Sequence, residues 1–548
     1  MTDQSTESPV SSIESPPNTL IGILQRLGPG LIIAGSIVGS GELVGTTTTG
    51  AQAGYYLLWL IIIGCVIKVF VQVEFGRYAI STGEASMVGM NETPGPAVRW
   101  TSAHGDQQSV NWLSIYWLLM FLVSLGQLGG IVGGVGQALA ISVPLTQAGR
   151  DYNQAAEAKT RLVFQQHLTE YAYQAIESKE APEAQELAGK LEAIKTELQG
   201  VVARLQGTDS QPGLEQSMKD DRIWAIIVTV FTAILLVAGR YGFIQWASTI
   251  LVAGFTLVTI LNVFMLQAQP EWAVTGADIA QGLSLQLPPK YTLEGKTFYP
   301  LATALATFGI IGVGANELIA YPYWCVEKGY ARFVGSRDES ASWAERAHGW
   351  LRVLRWDAWC SMIVYTFATI AFYLLGAATL GRIHLTPSGN DMIRTLSIMY
   401  EPVFGSWTQP VFLFGAFAVL YSTFFVAIAG HARVSGDAVR VFGLQRRGTA
   451  VSERAVKFFS GFYPFACLVI YLIYGEPKTL IMASGAMQAI MLPMLSFAAL
   501  YFRYRRVDAR IRPGKLWDLF LWLSALGMLI AGGWLLLTKL FPALNAVA

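Results

Sequence analysis

Two glutamates stand inside apolar runs of this 548-residue chain, Glu42 in VGSGELV (38–44) and Glu317 in VGANELI (313–319). A carboxylate at bilayer depth costs at least ~2.5 kcal/mol, so packing alone is a poor reason to keep two of them in the same local pattern, V-G-x-x-E-L. Each lies beside a glycine cluster: Gly35, Gly39, Gly41 and Gly45 in the first run, Gly309, Gly312 and Gly314 in the second. Such clusters mark either close helix packing or an unwound segment, and glycine alone does not decide between them. The adjacent carboxylates favour a shared binding site. A third charge, Lys68 in IIIGCVIKVFVQVEF, sits midway along the next apolar run and needs an anionic partner at that depth. Lys68 and Glu74 are the candidate charge modulators of the site; Glu74 is six residues on, off the helical face of Lys68, so Glu42 and Glu317 are the better-placed partners of the lysine.

The elements that must position these groups are membrane helices. Of the chain, 53% is hydrophobic and 14% charged, which excludes an ordinary soluble enzyme and predicts an all-α integral membrane protein in a lipid bilayer. About eleven runs are long enough to span, the first near 28–50 and the sixth near 299–327. Basic residues gather after the sixth run (Arg332, Arg337, Arg346, Arg352, Arg355), the eighth (Arg433, Arg440, Arg446, Arg447, Arg454) and the tenth (Arg503, Arg505, Arg506, Arg510, Arg512, Lys515). These loops are expected to be cytoplasmic, with the N-terminus inside, the C-terminus outside and a prokaryotic inner (plasma) membrane as the location. The same spread, without one basic patch, argues against nucleic acid as a partner.

Residues 1–20 read as a disordered cytoplasmic tail, 21–145 as helices one to three, and 146–221 as an extracytoplasmic helical hairpin, the candidate docking site for a protein partner. Residues 222–297 hold helices four and five with an outer loop, 298–510 helices six to ten, and 511–548 the eleventh. The echo between Glu42 and Glu317 then divides the chain into two five-helix halves; five is odd, so the halves are inverted. The cysteines Cys65, Cys325, Cys360 and Cys467 read as inert buried thiols, and the histidines, including His431 at a span end, as solvated or structural. No phosphate loop, Ser-His-Asp set or H-E-x-x-H motif is present, so no enzyme and no cofactor are expected.

With the halves aligned, the sequence resembles the Nramp family of divalent-metal transporters. The resemblance rests on GPG at 28–30, on Gly50, Gln52 and Gly54, on RYAISTG at 77–83 and on Leu492-Pro493. It implies a LeuT-type fold of two inverted five-helix repeats plus an eleventh helix, with a midplane site between helices one and six unwound at Gly39, Gly41, Gly312 and Gly314. Where the family carries Asp-Pro-Gly-Asn, this chain has Gly39, Ser40, Gly41 and Glu42; where it carries Met-Pro-His, here stand Asn316, Glu317 and Leu318. The implied ligands are Glu42, Asn316, Glu317 and the backbone carbonyls near Gly39 and Val313, all oxygen. That set suits a hard divalent ion, Mg²⁺ or Mn²⁺, as the transported substrate. Two other readings stay open: a non-metal solute (amino acid, amine or bicarbonate) with Lys68 in the site, and a membrane sensor that does not transport.

Overall fold

The first apolar run folds in three pieces. In the computed structural model, helix α1 (Pro29–Ile37) stops at Val38, a π-helical turn covers Gly41–Thr46, and α2 (Thr47–Ala53) continues it. The described residues are 13–541 apart from 102–106, 177, 179, 209–210, 218–219, 240, 294, 388 and 446–451, so Arg446 and Arg447 lie outside them. Helix α3 (Leu58–Thr82) follows, then a hairpin of β1 (Ala97–Thr101) and β2 (Gln107–Asn111), and α4 (Trp112–Ser142). The insertion is a pair of helices, α5 (Gln147–Ala175) and α6 (Pro182–Gln206), with Pro182 at the first turn of the second, where its missing N–H costs nothing.

Helices α7 (Asp220–Val237) and α8 (Tyr241–Leu266) complete the first half. The second opens with another broken span: α9 (Pro300–Phe308), a non-helical stretch, then α10 (Ala315–Lys328). After it come α11 (Ala341–Leu375), α12 (Thr408–Val441), α13 (Glu453–Tyr474), α14 (Pro477–Tyr501) and α15 (Lys515–Leu540).

Among the described residues, eight helices are long and apolar enough to cross a membrane. The other three expected spans fail for visible reasons. Two are the broken ones, whose pieces are each too short, and the third, α7, begins with three charged residues, Asp220, Asp221 and Arg222. The core lies where α3, α4, α11, α12 and α14 enclose the broken pair. The outer helices turn large apolar side chains outward, among them Phe231, Phe264, Ile473 and Ile530, each more than half exposed, as a surface solvated by lipid requires.

One end of the molecule collects the basic loops. Arg337 pairs with Asp508 at 2.8 Å, Arg510 donates to the Asp338 carbonyl at 2.6 Å and Arg506 pairs with Glu92 at 2.5 Å. The N-terminal segment joins this end: the Glu14 N–H donates to the Phe333 carbonyl and Glu14 pairs with Arg26. The tail expected to be disordered is therefore held from Glu14 onward, because Trp350 also donates to the Glu14 carbonyl; residues 1–12 lie outside those described. At the opposite end, the insertion fastens to the segment between α11 and α12 through Lys159–Asp391 at 2.7 Å.

Candidate functional site between the two broken helices

The start of α1 explains the GPG motif. The Gly28 and Gly30 N–H groups donate to the two carboxylate oxygens of Asp357 on α11, at 2.8 and 2.5 Å. Helix N-termini present such orphan donors, and a buried carboxylate satisfies them and complements the helix dipole. A Cβ on Gly30 would stand 2.7 Å from Asp357 Oδ2, so no larger residue fits there.

At the other end of α1 the chain approaches the sixth span closely. A Cβ on Gly41 would lie 2.6 Å from the Ile310 carbonyl oxygen, and Gly312, at the matching break, has φ +54°, a conformation that favours glycine. The break lets Glu42 turn inward. Its carboxylate, fully buried, accepts from the Gly39 N–H and the Gly312 N–H at 3.2 Å each and from the Thr369 hydroxyl at 3.3 Å. One side chain thus contacts both breaks and α11.

Lys68 is equally buried and does not pair with Glu74. Its ammonium donates to the Phe308 carbonyl and, at 2.7 Å, to the Ile311 carbonyl, and it lies 4.7 Å from the centre of the Phe308 ring. The Phe308 carbonyl ends α9 and the Ile311 carbonyl lies in the stretch just after it, where a cation complements the helix dipole. Glu74, the other candidate charge modulator, is taken by Arg77 at 3.1 Å and by the Trp517 indole N–H at 2.7 Å. The reason is the one its spacing gives: six residues place the two on different faces.

The remaining predicted residues divide. The Gly39 carbonyl accepts from the Leu43 N–H at 2.9 Å, so the π turn already engages it. Val313, fully buried, lies in the stretch that precedes α10, and Gly314 is that helix's extended N-cap. Asn316 donates through its amide to the Ser124 hydroxyl at 2.9 Å. Glu317 lines a cavity of about 10 Å³, room for about one water, with Ser36, Trp324 and His431. Glu42 and Glu317 therefore have different neighbours, and no hydrogen bond joins them among the described residues. His431 is no span end: α12 runs to Val441, which buries the imidazole edge-on against Phe121.

A polar chain missed in the sequence links the two breaks. Gln127 on α4 donates to the Ser40 hydroxyl at 3.0 Å and accepts from the Gln488 amide at 2.5 Å, while Gln488 accepts from the Asn316 N–H at 3.4 Å. The signal was present: Gln127, Asp357 and Gln488 are polar residues inside apolar runs, just as the glutamates are. Among the described residues, no three His, Cys, Asp or Glu side chains gather at one point. An ion here would be met by at most two carboxylates, together with amide, hydroxyl and carbonyl oxygens.

A family model described as Natural resistance-associated macrophage protein-like matches residues 217–538. The chain belongs to the Nramp family. Two solved structures of the Eremococcus coleocola manganese transporter show the same fold. One, of a mutant, has a TM-score of 0.56 at 13% identity and covers 97% of this chain and 91% of that chain. The other, in complex with an aromatic bis-isothiourea substituted compound, gives 0.57 at 14% identity, with 98% and 92% covered. A search of curated proteins finds no match. As an Nramp protein the chain has the LeuT-type arrangement, and its two broken spans are the first helix of each half.

Proposed function

We propose that this Nramp-family protein is a metal-ion transporter that works by alternating access, with Mg²⁺ or Mn²⁺ as substrate bound between the broken first and sixth spans. One observation carries the reading: Glu42, buried at the point where both breaks meet, is held by backbone N–H groups from each. The candidate ligands are Glu42, Asn316, Glu317 and backbone carbonyls around Gly39 and Val313, and their hardness favours a partly hydrated hard cation over Cd²⁺. The manganese transporter structures that share the fold support a divalent substrate. The end rich in arginine would face the cytoplasm and the α5–α6 hairpin the opposite side.

Uptake by purified protein in liposomes tests this against Mg²⁺, Mn²⁺, Ca²⁺, Cd²⁺, amino acids and bicarbonate. Saturable Mg²⁺ or Mn²⁺ uptake is expected; metal-independent uptake of an organic solute would reject it. The Lys68 ammonium favours a second reading. It already sits against the carbonyls at the end of α9 and just after it, a basic group beside the two breaks that an anion or zwitterion would find attractive.

A further inference from the structure

Helices α11 and α15 both pack on α3, and Phe70 of α3 joins them. Its ring centre lies 5.6 Å from that of Trp359 on α11, 5.4 Å from Phe520 and 5.0 Å from Trp517 on α15. The seam opens outward, where Trp356 and Phe520 are each 43% exposed and Leu516 is 68% exposed. From Ala358 to Gly381, and again from Leu519 to Thr538, the chain carries no charged side chain, so these lengths suit the hydrocarbon layer. Arg352 and Arg355 stand just outside the first of them, at headgroup depth, and steps of three and four put them on the same side of α11 as Trp356 and Trp359.

Both arginines are exposed, and neither has an ion pair or a hydrogen bond among the described residues. At the same end Arg337, Arg503, Arg506 and Arg510 each hold a carboxylate. The acids around the seam are engaged or distant. Glu74 is held by Arg77 at 3.1 Å and Asp518 by Arg503 at 2.8 Å, while Glu345 lies seven residues before Arg352, farther from the apolar length. The charges that act on Arg355 are like charges, those of Arg77 and Arg352. Guanidinium groups three residues apart on a helix repel, and an anion between them turns that repulsion into attraction. Phosphate is the anion their forked donors fit, and an aromatic seam directly below it selects an amphiphile over a free ion.

We propose that Arg352 and Arg355 bind the phosphate of an anionic phospholipid whose acyl chain lies along the seam of Phe70, Trp359 and Phe520. Asp357, two residues on from Arg355, grips the start of α1, so the lipid would bear on the helix that fastens the first broken span, whatever that span carries.

Native mass spectrometry of the full chain released from neutral detergent tests this, with dioleoyl phosphatidylglycerol as the probe. One tightly held phosphatidylglycerol is expected, with phosphatidylcholine of the same chains held more weakly. The double variant Arg352→Gln, Arg355→Gln should weaken phosphatidylglycerol about tenfold or more and leave phosphatidylcholine unchanged. Either substitution alone should lose part of that, which decides the matter if the double variant does not fold. Phe520→Ala should weaken the lipid several-fold, whereas Arg505→Gln, an exposed arginine outside the seam, should not change it. Equal retention of phosphatidylcholine, inorganic phosphate binding as tightly as the lipid, unchanged affinity in the arginine variants, or an equal loss in Arg505→Gln would each overturn the proposal.

Discussion

Glu42 and Lys68 hold opposite sides of one peptide group: the Ile311 carbonyl accepts from Lys68 at 2.7 Å and the Gly312 N–H donates to Glu42 at 3.2 Å. Two buried ionisable side chains are thereby coupled through a backbone dipole without touching. Removing either leaves the other less compensated, and buried charges without partners are expensive. Glu42→Gln keeps an acceptor for Gly312 but removes a charged ligand. Mn²⁺ or Mg²⁺ uptake in liposomes should fall about tenfold or more, which corresponds to at least ~1.4 kcal/mol of lost ion binding. Lys68→Ala should lower thermal stability, because two carbonyls lose their donor, yet retain or improve cation uptake. A folded Lys68→Ala variant that transports nothing would favour the anion or zwitterion reading instead.

On the proposed reading, Asn316 sets the softness of the site. Replacing its amide by a thioether in Asn316→Met introduces the ligand that soft ions prefer. The ratio of Cd²⁺ to Mn²⁺ uptake should rise several-fold in competition assays, with a loss of stability from the broken Ser124 contact. A strong Cd²⁺ preference in the unmodified protein would contradict an all-oxygen site.

The insertion touches the transport core at few points. Replacing residues 150–215 by a short flexible linker removes the Asn153 acceptor and the Lys159–Asp391 pair, and strips one partner from buried Arg394. The melting temperature should drop by several degrees, while ion uptake per folded molecule stays within about twofold, since the insertion is fastened through Asp391 and Arg394 and not through the broken helices. Complete loss of uptake in a folded deletion would make the hairpin part of the transport cycle.

Asp508 ties the arginine-rich end together. The Arg510 side chain, assisted by the Arg510 N–H and by Arg337, holds its carboxyl down from the ordinary 3.8 to about 2. A folded-state value below the unfolded one gives stability that is fully present above about pH 4 and is lost as pH falls toward 2. Asp508→Asn should therefore melt lower than the parent at pH 7, with the gap closing in scans taken progressively below pH 4. A gap independent of pH over that range would assign the effect to packing.

The helical membrane fold and the two marked glutamates were legible because apolar length and a charge within it are strong local signals. Less legible was what each glutamate touches. Glu42 found backbone donors from its own break and the opposite one, and Glu317 turned to a cavity near His431; both outcomes depend on where helices far apart in sequence come to rest. Lys68 illustrates the same limit: its need for an anionic partner was read from burial, but its ammonium is met by helix-end carbonyls that no spacing rule locates. The amides of Gln127 and Gln488 were overlooked because uncharged polar residues in apolar runs draw less attention than carboxylates.

The grip of Asp357 on Gly28 and Gly30 bears on how the molecule rearranges. It bolts the leading end of the first half's broken helix to α11, a helix of the second half, through one buried carboxylate. Swinging α1 alone would strip Gly28 and Gly30 of their acceptor and leave the Asp357 carboxylate only the Tyr321 hydroxyl, whereas carrying α11 with it keeps both bonds. Under the proposed alternating access, the unit that moves would then cross the boundary between the repeats.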